Sequence, residues 1–139
     1  MSKPYRGGCA CGALRYEVGG EPVAMVECQC RQCQRDSGTG HASNLAFMGA
    51  QVTIDGPRNT WDMVGDGGTR KSRAFCPTCG SPVYTVFPDM PNFIAVRAAS
   101  LDEPERYAPQ IVVWADAAQP WDRVDEALTK FDQMPPAMA

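Results

Sequence analysis

Seven cysteines fall in three tight groups: Cys9 and Cys11 in CAC, Cys28, Cys30 and Cys33 in CQCRQC, and Cys76 and Cys79 in CPTC. No other feature limits the fold as much. Clustered sulfurs either chelate a metal or react, and sharing one ion forces distant segments together. The odd count argues against a fully paired disulfide framework. MSKPYRGG at the N-terminus has no apolar core and does not read as a secretory signal. Runs such as QIVVWA (110–115) are too short to span a bilayer. The compartment these features predict is the reducing cytoplasm, where disulfides are rare and cysteines serve as ligands or reactive thiols.

CPTCG has the form of a zinc-knuckle turn, in which backbone N–H groups point at the sulfurs and Gly80 can take the positive φ of the exit. It supplies two ligands and needs two more. If residues 9–11 are extended, Cys9 and Cys11 face the same way and can complete the set, with Gly12 closing their turn. Cys9, Cys11, Cys76 and Cys79 would then form a closed four-thiolate site of the structural kind. Cys28, Cys30 and Cys33 remain, and three thiolates without a fourth are the arithmetic of an open, catalytic-type zinc site. Other readings stand beside it. One thiol could be spare, or a protein side chain could close the site; His41, the chain's one histidine, is the candidate for that.

Short segments rich in β-branched and aromatic residues punctuate the chain: 13–18, 23–28, 43–48, 51–54, 58–64, 71–76, 82–87, 93–98 and 110–115. Gly and Pro, 13 and 12 in number, separate them. The prediction is one mainly β domain over 1–139, with the cysteines at strand ends. One short helix near the C-terminus is expected over 121–131, where Val124, Leu128 and Phe131 recur at helical intervals. Net charge is -3 and the pI about 5.1, which counts against nucleic acid and anionic membrane surfaces as partners.

Four stretches, GGCACGALRYEV, CQCRQCQRDSGTG, FCPTCGSPVY and SLDEPERYAPQIVVWADAAQPW, resemble the glutathione-dependent formaldehyde-activating enzyme family, which includes the centromere protein V relatives. The resemblance spans about residues 5–121. It implies an Mss4-like fold of short antiparallel strands around two Zn2+ sites. Cys9, Cys11, Cys76 and Cys79 would hold the structural ion, and Cys28, Cys30 and Cys33 the catalytic one. The implied activity is that of a carbon–sulfur lyase acting on glutathione and formaldehyde. Members usually read CHC in the second group, whereas here the middle residue is Gln29. An amide can replace a histidine that only donates a hydrogen bond, but it cannot shuttle a proton, and His41 is the group that could take over that role.

Thiolates donate charge, so zinc held by three of them is a weak activator of water but a good holder of an incoming thiolate. Cations should lie close by. Arg31, Arg35, Arg70, Lys71 and Arg73 are the candidates, and Arg35, within a turn of Cys33, is the choice for contacting the thiol substrate. Two other classes compete: a non-enzymatic Mss4-like zinc module, and related thiol chemistry on another substrate. The sequence does not set an oligomeric state.

Overall fold

The segments rich in β-branched and aromatic residues are realised as strands. Residues 3–136 are described by the computed structural model, and among them the chain forms eleven strands and one α-helix. In order these are β1 (Tyr5–Gly8), β2 (Arg15–Gly19), β3 (Ala24–Cys28), α1 (Arg31–Ser37), β4 (Ala42–Met48), β5 (Gln51–Asp55), β6 (Asn59–Val64), β7 (Arg70–Phe75), β8 (Pro82–Phe87), β9 (Met90–Arg97), β10 (Ile111–Val113) and β11 (Thr129–Lys130). One antiparallel sheet has the order β1-β2-β5; the larger has the order β11-β10-β3-β4-β9-β8-β7-β6.

The two sheets bury one apolar core between them. Tyr5, Tyr16 and Val18 of the small sheet meet Leu45, Phe47, Tyr84, Ile94 and Val96 of the large one. The Tyr5 and Phe47 rings pack edge to face, with centroids 5.4 Å apart. A smaller cluster of Val26, Cys28, Cys30 and Val113 lies where β3 and β10 end, with Trp114 packed against it. The fold is mainly β with thiol groups at strand ends, in keeping with the Mss4-like expectation.

Three local expectations are corrected. Residues 121–131 are not helical: they run through turns into β11. Asp125 stops the helix from forming, because its side chain accepts from the Ala127 N–H at 2.9 Å and its carbonyl from the Leu128 N–H at 3.2 Å. The Phe131 N–H is instead spent on Val112 O at 2.8 Å. The helix that does form, α1, sits inside the second cysteine group. The strands are also not all antiparallel: β10 runs parallel to both β3 and β11. Finally, Cys9 to Cys11 is a turn rather than extended chain. Among the described residues, no helix is long and apolar enough to cross a membrane.

Candidate metal centres and their surroundings

The turn after β1 carries Cys9 and Cys11, and the loop between β7 and β8 carries Cys76 and Cys79. All four sulfurs lie within 4.8 Å of one another. Cys11 Sγ is 3.6 Å from Cys9 Sγ and 3.7 Å from Cys76 Sγ. A tetrahedral ion bonded to sulfur at about 2.3 Å would set its ligands about 3.8 Å apart, so the spacing fits. Gly12 (φ 83°) and Gly80 (φ 76°) make the reversals that a Cβ would oppose. The Leu14 N–H donates to Cys9 Sγ at 3.3 Å and the Thr78 N–H to Cys76 Sγ at 3.4 Å. Hydrogen bonding to the Ser81 hydroxyl and backbone brings the Cys79 thiol down to about 5. These groups are arranged to hold sulfur as thiolate.

The second cluster is built on six consecutive residues. Cys28 is the last residue of β3, Cys30 is the N-cap of α1, and Cys33 lies one turn in. Cys30 Sγ accepts the Cys33 N–H at 3.3 Å, the bond a capping serine would make. The three sulfurs also lie within 4.8 Å of one another, and among the described residues no fourth Cys, His, Asp or Glu joins them. Interaction with the Cys28 and Cys33 thiols pulls Cys30 down to about 2, against burial and with help from the Lys71 ammonium. Interaction with Cys30 pushes Cys28 up to about 11. Without a cation the three thus share one negative charge, and a metal would release the remaining protons.

His41 does not stand among these sulfurs. Its Nδ1 is 3.0 Å from each carboxylate oxygen of Asp122, and its Nε2 is 4.0 Å from Glu27 Oε2. Asp122 Oδ2 also accepts from Gln29 Nε2 at 2.9 Å. Gln29 is therefore joined to His41 through one carboxylate. Gly40 makes room for it, since a Cβ there would fall 2.2 Å from Asp122 Cγ. Gln34, buried on α1, donates to Gln29 O at 2.9 Å and Ala117 O at 3.0 Å, so the cysteine-bearing turn is braced from two sides.

The cations divide. Arg31 and Arg35 are exposed on α1, and Arg70 pairs with Asp89 at 2.7 Å on the surface. Lys71 and Arg73, from β7, line a cavity of about 50 Å³ together with Cys33, Asp36, Thr85 and Arg97. A cleft of about 550 Å³ opens elsewhere, its polar lining including His41, Arg15, Ser37, Thr39, Ser100 and Arg97. Arg97 belongs to both. Asp36, Arg97 and Asp122 escaped sequence reasoning. For Arg97 a signal existed: a charge at the end of the apolar run FIAV.

Three comparisons bear on this arrangement. A family model described as glutathione-dependent formaldehyde-activating enzyme matches residues 4–117. A crystal structure of a Rhodobacter sphaeroides protein is similar in fold, at 24% sequence identity and a TM-score of 0.53, covering 70% of this chain and 88% of that one. No curated protein matches the chain.

Proposed function

The chain belongs to the glutathione-dependent formaldehyde-activating enzyme family, and from that membership we propose that it is a zinc-dependent carbon–sulfur lyase or synthase acting on a glutathione-type thiol and formaldehyde. The observation that carries the reading is the second cluster, with three convergent sulfurs and, among the described residues, no fourth Cys, His, Asp or Glu beside them. In the forward direction the thiol sulfur bonds to the aldehyde carbon. The carbonyl π pair moves to oxygen, and the proton lost by the thiol ends there, giving an S-hydroxymethyl thioether, a hemithioacetal. The reverse reaction breaks the same carbon–sulfur bond.

In this reading Cys9, Cys11, Cys76 and Cys79 hold a structural zinc, and Cys28, Cys30 and Cys33 hold the catalytic one. When bound there, zinc supplies a position at which a substrate thiol is held as thiolate near neutral pH. The chain's own residues do the rest. The capping bond from Cys33 N–H to Cys30 and the brace from Gln34 to Gln29 fix the sulfurs in place. Gln29 keeps a hydrogen-bonding role and leaves proton handling to His41, whose Nδ1 is committed to Asp122. Arg35, exposed on α1, is assigned a part in drawing in the anionic thiol rather than in fixing it.

Cobalt substitution tests the proposal, because thiolate-to-metal charge transfer scales with the number of bound sulfurs. Glutathione should raise that absorption by about one sulfur per chain, and S-methylglutathione should leave it unchanged. His41→Ala should keep both metals and this spectral response while slowing formaldehyde consumption above the uncatalysed rate. No response to glutathione would remove the mechanism.

A further inference from the structure

The cavity beside Cys33 is lined by three cationic side chains, Lys71, Arg73 and Arg97, and one carboxylate, Asp36. Asp36 and Arg97 are both buried and paired with each other. Arg97 also donates to Asn44 Oδ1 at 2.6 Å and Thr85 Oγ1 at 3.3 Å, yet its Nε has no acceptor. Arg73 Nε lies 2.8 Å from Asp36 Oδ1, but off the N–H direction, so this is a contact of charge in which neither atom is hydrogen-bonded. Buried guanidinium N–H groups without acceptors are costly, and each such group calls for a partner. About 50 Å³ is room for one or two water-sized groups, each about 30 Å³ in the liquid. A carboxylate meets both needs: it is small, and it accepts from two donors at once.

We infer that this cavity is a carboxylate subsite, and that the thiols the second centre accepts are those carrying a carboxylate within reach of Cys33. The inference rests on the proposed thiol chemistry for its second half only. The subsite itself stands on Lys71, Arg73, Arg97 and Asp36. The subsite would separate anionic thiols from neutral ones of equal size, a distinction the sulfur ligands alone cannot make. It would also place the recognised carboxylate on the β7 side of the centre, where Lys71, Arg73 and Arg97 oppose the negative charge of the cluster, and away from the exposed arginines of α1.

Two measurements on the full-length protein separate the subsite from the thiol chemistry. Propionate, which has no sulfur, should shift the backbone amide resonances of Lys71, Arg73 and Arg97 in the wild-type protein, and in Lys71→Gln the affinity should fall about tenfold. Lys71 is only half-buried and unpaired with Asp36, so this variant keeps the Asp36 cluster intact; Lys71→Arg should restore binding. In the cobalt-substituted protein, 3-mercaptopropionate should bind about tenfold more tightly than 3-mercaptopropionamide, and Lys71→Gln should bring the two within about threefold. Propionate shifts without any thiol response would keep the subsite and sink the thiol reading. Equal binding of the two thiols, with no propionate shifts, would overturn the subsite and leave the thiol reading standing. Propionate shifts that Lys71→Gln does not weaken would also overturn this assignment.

Discussion

Gln29 is 2% exposed, and its side-chain nitrogen has Asp122 as acceptor. Removing that acceptor by Asp122→Ala leaves a buried donor unpaired and frees the His41 ring, a loss of about 1–3 kcal/mol. Gly40→Ala should have nearly the same effect by a different route, because the new Cβ would occupy the space of the carboxylate. The double variant should cost clearly less than the sum of the two, since both break one contact. Chemical denaturation of the four proteins checks this. Asp122 also lies beyond the segment matched to the family, residues 4–117. Another residue-scale consequence concerns alkali. Burial pushes the Tyr16 phenol from 10.0 up to about 12, against the Ser100 hydroxyl bonded to it at 2.7 Å. The unfolded chain therefore ionises this group first. Stability from it is intact below pH 10.0 and is lost as pH rises toward about 12. Phenolate absorbance and unfolding should accordingly rise together in that window, and early ionisation of Tyr16 in the folded protein would contradict its burial.

Elements differ in how far they announced themselves. The nine segments read as strands are all strands, with ends shifted by no more than a few residues, because enrichment in β-branched and aromatic residues between Gly and Pro breaks is a local property. β1, YRGG, has Tyr5 alone of that kind, and β11 is two residues long. α1 was hidden for a chemical reason. RQCQRDS has no apolar stripe, and its cap is a cysteine, a residue whose spacing already had an explanation as a ligand. One thiol thus serves as helix cap and as a candidate metal donor. The expected helix over 121–131 had the opposite history: its apolar spacing is real, but Asp125 and the demands of β11 and Asp122 claim the backbone. At this scale the two cysteine clusters should behave differently. The first joins β1 to the β7–β8 loop across 65 positions, from Cys11 to Cys76. If that set holds the proposed structural ion, Cys76→Ser should unfold or aggregate the protein, because binding of such an ion is coupled to folding. Cys30→Ser should give a folded protein with one metal fewer. Similar melting and metal content in the two variants would refute the division of seven sulfurs into four and three.

Across the whole molecule, what was legible follows from how far apart the cooperating residues lie. Ligand sets with two or three members in one short motif are visible in sequence, since the geometry of a turn decides them. Asp36, Arg73 and Arg97 meet only through helix packing and the β7-β8-β9 pairing, and Asp122 reaches Gln29 and His41 from the far end of the chain. No local pattern encodes such meetings.

The locality of the second cluster has a further consequence, for the chain before it folds. Its three donors lie within six residues, so an unfolded or nascent chain can already grip a metal there, whereas the four-sulfur set exists only once residues 65 apart have met. Binding to the unfolded state cancels stabilisation of the native one. The centre proposed to perform the chemistry should therefore contribute little to stability, and the other most of what metal gives. In strong denaturant with the thiols kept reduced, metal titration should reveal tight uptake by the 28–33 segment alone. Cys30→Ser should abolish that uptake while Cys76→Ser leaves it unchanged. Synthesis from the N-terminus would then deliver the chain to its folding step already loaded at one centre, with the second ion acting as the latch that closes the sheets.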